Sequence, residues 1–195
     1  MKKLFLFITI ALSLSLMAQN EPKNKEALLI IDIQEFYFVE GASQLVNPEF
    51  ASEKAALILQ NFRLKNKPVI HIQHASSKNF NFHKNVEPVR NEKVITKHFV
   101  NSYKETDLLE YLKQHEITHV VICGMMTHVC VEAAARASAD YGFKIIVLSD
   151  ACATRDVIYN SDTVLSKDVH NSTLATIQSY YGTIMTSEEY VRESN

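Results

Sequence analysis

The sequence predicts an α/β fold, a three-layer α/β/α sandwich on a mostly parallel, doubly wound sheet. Three observations predict it. Short apolar runs of strand length recur along the chain, they lack the polar alternation of half-exposed strands, and longer segments with helical spacing lie between them. That alternation implies right-handed crossovers, which lay strands parallel and cover both faces of the sheet with helices.

In chain order, residues 27–33 form the first expected strand, carried by Leu28-Leu29-Ile30-Ile31 and closed by Asp32. Helical spacing over 50–64 predicts a helix, and the apolar run 68–72 a second strand. Residues 76–91 are the longest stretch without periodicity and read as a loop or lid over a site. Val94-Ile95-Thr96 leads into Lys97, and 107–115 has helical spacing. The strand expected over 119–123 turns tightly at Gly124 into a helix over 129–141. A strand over 144–148, a helix over 171–180 and a weaker strand over 183–185 complete the pattern.

Ahead of these elements, Met1-Lys2-Lys3 is a basic start, 4–16 is apolar, and Ala18 offers a small residue for cleavage. Residues 1–18 are therefore expected to be a secretory signal peptide and 19–195 a single domain, periplasmic or secreted. The apolar run falls short of the ~20 residues of a spanning helix, and no cysteine stands near the cleavage point to carry a lipid. No stable membrane anchor is expected.

A formal net charge of −2 with scattered lysines provides no basic stripe for nucleic acid, so the expected partner is a small-molecule substrate. Four glycines leave no phosphate loop or dinucleotide fingerprint, and no Gly-x-Ser-x-Gly elbow is present. His71 and His74 are close in sequence, but three residues apart on a strand they face opposite sides, so neither metal nor cofactor is expected. Three cysteines, Cys123, Cys130 and Cys152, leave at least one thiol unpaired within the chain. All three are expected to be reduced, with a Cys123 to Cys152 bridge left open.

In open parallel sheets ligands bind beyond the carboxyl ends of the strands. Asp32, Lys97 and Cys130 all fall at such positions. Cys130 also falls in the first turn of its expected helix, where unpaired N–H groups and the helix dipole lower a thiol pKa. The alternative is an ordinary buried cysteine.

Leu-Leu-Ile-Ile-Asp-Ile-Gln at 28–34, Lys97 followed by Asn101-Ser102-Tyr103 and Thr106-Asp107-Leu108, Gly-Met-Met-Thr-His-Val-Cys-Val-Glu at 124–132, and Ser-Asp-Ala-Cys-Ala-Thr-Arg-Asp at 149–156 together resemble the isochorismatase-like cysteine hydrolases. Within them the chain looks nearest to the streptothricin hydrolase-like branch. The resemblance implies a catalytic triad of Asp32, Lys97 and Cys130, with Cys130 the nucleophile, Asp32 the proton carrier and Lys97 the cation that favours the thiolate. It further implies a cis peptide between Met125 and Met126, an oxyanion hole from the backbone N–H groups of Met126 and Cys130, and a homo-oligomer, dimer or higher.

Departures narrow the expectation. His71-Ile72-Gln73-His74 stands where nicotinamidase-like relatives carry an Asp-x-His metal motif, and true isochorismatases lack the cysteine that this chain keeps. The expected activity is hydrolysis of a C–N, amide-type bond through a Cys thioester, the alternative being a catalytically inactive small-molecule-binding member of the fold. Gln34, Phe36, Phe38, His74, Tyr103 and Thr127 are the expected pocket residues, with Tyr37, Phe80 and Phe82 beside them. For each, core packing is the competing role; for Thr127 it is a helix N-cap, and His170 is expected to be structural, just before the helix at 171.

Overall fold

Leu28 to Ile31 has no water-facing side, so its strand must run through the middle of a sheet covered above and below. The computed structural model, which describes residues 25–75 and 80–194, has it there. The strands in chain order are β1 (Glu26–Ile31), β2 (Val69–His74), β3 (Lys93–Lys97), β4 (His119–Met125), β5 (Lys144–Ala153), β6 (Val157–Tyr159), β7 (Asp162–Val164) and β8 (Thr183–Met185). Among the described residues six of them make one sheet, ordered β3-β2-β1-β4-β5-β8, and every neighbouring pair is parallel. From β1 the chain steps outward to β3, then returns to the other side of β1 for β4. The carboxyl ends of β1 and β4 thus meet at the point where strand order reverses.

The two-residue period of a strand divides the core in two. Leu29, Ile31, Ile70, Ile72, Val120, Ile122, Ile145 and Val147 pack on one face, under α2 (Leu108–Gln114), α3 (Glu132–Asp140) and α4 (Ser166–Tyr180). Leu28, Ile30, Val69, Val121, Cys123 and Leu148 pack on the other, under α1 (Pro48–Leu64) and α5 (Ser187–Glu193). On that side Ile58, Leu59 and Phe62 of α1 are at most 1% exposed, and burial of each stabilises the fold by roughly 1.5–3 kcal/mol.

Several boundaries differ from the sequence expectation. β5 runs on past Leu148 to Ala153, through an irregularity in its pairing with β4 between Ile122 and Gly124. α4 starts at Ser166, so His170 lies inside the helix rather than before it. Cys130 sits in a π-helical turn, Thr127–Val131, ahead of α3. The hairpin β6–β7 and helix α5 are additional. The expected leader, residues 1–18, lies outside the described residues, as do 76–79 of the expected loop. The rest of that loop contains a 3-10 turn, Lys84–Val86, and a bridge from Phe82 to Gln34. Cys123, Cys130 and Cys152 are all unpaired, and Cys123 and Cys152 belong to cores on opposite faces of the sheet.

Candidate active site

Three strand ends bring Asp32, Lys97 and Cys130 together. Asp32 follows β1 and takes a left-handed backbone, φ 50°, while its N–H donates to the Ile72 carbonyl at 2.9 Å. Asp is among the few non-glycine residues that visit this region with some frequency. Lys97 ends β3, in register with His74 of β2. Cys130 is carried past β4 by a turn in which the Met125–Met126 peptide is cis.

Asp32 and Lys97 are 0% exposed and Cys130 is 5% exposed. Lys97 Nζ donates to Asp32 Oδ2 at 2.7 Å and to Cys130 Sγ at 3.3 Å, and lies 3.1 Å from His74 Nδ1. An ammonium so deeply buried is tolerable only with a paired charge and filled hydrogen bonds. Asp32 Oδ1 is buried and has no hydrogen-bond partner among the described residues, so the carboxylate holds one acceptor in reserve.

Burial raises the Asp32 carboxyl above its usual range, against the lowering effects of Lys97 and the Cys130 thiol. The Cys130 thiol is pushed up to about 12 by burial and the Asp32 charge, with Lys97 opposing. The expectation of a lowered thiol, drawn from the helix N-terminus, is therefore corrected. Removal from water and a carboxylate neighbour outweigh the dipole and the lysine. The resting site is a thiol beside a carboxylate of enhanced basicity.

The remaining expected pocket residues separate. Gln34 is 0% exposed; its Oε1 accepts from His74 N at 2.8 Å, and its Nε2 donates to the carbonyls of Phe80 at 2.7 Å and His74 at 3.3 Å. It ties the backbone of His74 to that of Phe80. Phe38 stacks on His83 at 3.8 Å, and Phe36 tilts against Tyr37 at 4.2 Å. Tyr103 turns its hydroxyl to Ser138 at 2.7 Å. Thr127 makes no cap; its Oγ1 pairs with His170 Nδ1 at 2.9 Å. His71 bonds Glu92 at 2.8 Å, away from His74. Among the described residues no three His, Cys, Asp or Glu side chains gather as a metal site.

Tyr37, expected beside the pocket, and Arg155, which was not singled out, also bear on the site. Tyr37 has its hydroxyl pKa raised by burial and by the charges of Asp32 and Cys130, with Arg155 opposing. The exposed Arg155 also depresses His128, which burial already lowers and which pairs with Thr154 at 2.7 Å. Arg155 stood inside the 149–156 motif and was not singled out, because the strand was expected to end at Leu148 rather than at Ala153, just before it. A cavity of about 270 Å³, lined in part by Asn47, Asp150, Cys152, Thr154 and His170, lies along this same edge.

Comparison with known proteins identifies the family and the fold. The chain is 36% identical over 177 residues to the isochorismatase family protein YddQ of Bacillus subtilis, covering 85% of this chain and 98% of that one. It is 30% identical to the secreted isochorismatase effector Isc1 of Verticillium dahliae, over 83% and 88% of the two chains. Streptothricin hydrolase of Streptomyces noursei is 27% identical, over 68% of this chain and 51% of that protein. The crystal structure of an isochorismatase hydrolase from Oleispira antarctica superposes with a TM-score of 0.84 at 33% identity, over 89% of this chain and 99% of that one. The isochorismatase domain model matches residues 26–189, and the chain belongs to the isochorismatase family of hydrolases.

Proposed function

We propose that this hydrolase cleaves a C–N, amide-type bond of a small molecule through a thioester on Cys130. The observation that carries the reading is a single buried ammonium, Lys97, bonded at once to a carboxylate and to a thiol. Cys130 attacks the carbonyl carbon as its proton passes to Asp32, whose raised basicity and unpartnered Oδ1 suit it to receive one. Lys97 holds the developing thiolate. The backbone N–H groups of Met126 and Cys130 take the oxyanion, a device in which one donor contributes about 3 kcal/mol. Asp32 returns the proton to the leaving amine, then activates the water that hydrolyses the thioester.

Streptothricin hydrolase, a relative by sequence, supports a hydrolytic site of this kind. The raised thiol favours a second reading, a binding protein without turnover. One experiment separates them: a panel of small amides, with and without a carboxylate, followed by product mass and by the mass of Cys130 peptides. Turnover is expected with an acyl adduct on Cys130, a loss on the order of 10³-fold or more in Cys130→Ala, and ~10²- to 10⁴-fold in Asp32→Asn. Turnover indifferent to Cys130→Ala overturns the mechanism, and ligand-induced stabilisation without product establishes the second reading.

Export and self-association belong to the same proposal. The basic and apolar start, together with a relative that is a secreted effector, supports removal of residues 1–18. An intact mass beginning at Met1 in the native host would refute it. A homo-oligomer is expected by native mass spectrometry, and a monomer at micromolar concentration counts against it.

A further inference from the structure

An ammonium carries three N–H donors and no acceptor, and the buried Lys97 has three acceptors around it. Two of them, Asp32 Oδ2 and Cys130 Sγ, belong to the mechanism above; the third is His74 Nδ1 at 3.1 Å. Since Lys97 can only donate, His74 Nδ1 must be the bare nitrogen of a neutral ring with its proton on Nε2. The ring is also held from behind. Gln34 pins the His74 backbone N–H and carbonyl, and β2 pairs His74 in register with Lys97.

We propose that His74 is a positioning residue of the triad: its neutral imidazole takes the third N–H of Lys97 and fixes the ammonium between Asp32 and Cys130. The proposal rests on the triad reading above. His74 touches no reacting atom and acts through Lys97. Without this acceptor the ammonium is free to rotate about its last bond, and its hydrogen bonds to the carboxylate and the sulfur lose their alignment. Protonation has the same effect, because Nδ1 then becomes a donor facing an ammonium.

The charged groups that act on His74 are Lys97, Asp32 and His98. Burial, Lys97 and His98 lower its pKa, and Asp32 opposes them, for a net shift below the ordinary histidine value. The ring is therefore neutral at neutral pH and takes its proton only in acid, where the site loses its alignment.

The test is the rate of Cys130 alkylation by iodoacetamide from about pH 5 to 9, read by peptide mass spectrometry in the wild type, His74→Leu, His74→Asn and Lys97→Met. Asn places a non-titrating oxygen near the Nδ1 position. His74→Leu is expected to slow alkylation on the order of tenfold at neutral pH, and His74→Asn to restore it to within about threefold. In the wild type the rate should fall with the thiolate fraction and then more steeply in acid, where both Asp32 and His74 take up protons; in His74→Asn the limb should be shallower, keeping only the Asp32 part. If Lys97→Met is slow while His74→Leu matches the wild type, the proposal fails and the triad stands. If Lys97→Met also matches the wild type, the triad reading fails and takes the proposal with it. Should His74→Leu not fold, an acid limb in His74→Asn as steep as that of the wild type overturns the proposal.

Discussion

Asp32 shows how far a setting can move a side chain from its reference chemistry. It is fully buried, left-handed in its backbone, bonded through one oxygen and unpartnered at the other. Its identity and position beyond an apolar run were legible; its raised pKa was not, because burial depends on what the rest of the chain packs around it. The same holds for Cys130, whose helix-end position pointed toward a reactive thiolate while the folded site keeps a thiol. A base works only when deprotonated, so activity should fall as pH drops through the Asp32 value, which lies above the ordinary carboxylate range. A kcat/KM profile that stays flat into the ordinary carboxylate range would contradict this. Tyr103 was expected in a pocket, yet its hydroxyl is tied to Ser138, which also bonds the Ala134 carbonyl. Tyr103→Phe should cost about 1 kcal/mol in denaturant unfolding, the worth of one buried hydrogen bond.

Among the elements, those buried on both faces were the easiest to read, because a continuous apolar run has few other uses. β3 was seen only as an apolar lead into Lys97, since just Ile95 and Lys97 of its five residues are buried, as befits an edge strand. Helix α5 carried a readable signal in Thr186 and Glu189, which form a capping box. Thr186→Ala should lower stability by about 1 kcal/mol, measured by thermal and urea unfolding. The hairpin β6–β7 turns through Asn160 and Ser161, both with positive φ, and leaves Ile158 and Tyr159 at 77% and 74% exposure. A helix or strand search built on buried faces passes over it. At Gly124 β4 comes close to β1: φ is +139°, and an added Cβ would lie 2.1 Å from the Ile31 carbonyl oxygen. Gly124→Ala should therefore destabilise the fold by at least ~2 kcal/mol and disturb the turn that holds Cys130. An unchanged unfolding midpoint would mean the strands can part without cost.

Over the whole molecule, charge and topology set the response to acid. Glu92 accepts from Arg63 Nε and Nη2 at 2.7 and 2.8 Å, from the Val89 N–H at 2.9 Å and from His71 at 2.8 Å, tying the end of a long loop to α1 and β2. Burial would raise its carboxyl, but these donors hold it at about 2. A depressed carboxylate contributes stability above its unfolded value of 4.5, and that contribution drains away as pH falls toward about 2. His71, lowered by burial against the pull of Glu92, acts in the same direction earlier: the unfolded chain takes up its proton first. Glu92 and His71 should thus make stability decline from neutral pH downward and more steeply below pH ~4.5, against the opposite pull of Asp32, whose raised carboxyl takes up its proton first in the folded state, and Glu92→Gln should flatten the lower part while lowering stability at pH 7 by roughly 1.5–3 kcal/mol. Urea unfolding at a series of pH values checks both limbs. The chain's apolar runs, their spacing and the residues that close them were enough to establish a parallel α/β sandwich and to single out Asp32, Lys97 and Cys130, because periodicity and strand-end position are local properties. The strand order, the clamp of Gln34 on His74, the third acceptor of Lys97 and the direction of every shifted pKa emerged only in three dimensions. Each depends on distances and solvent exclusion between residues far apart in the chain, and these exist only once the strands are packed.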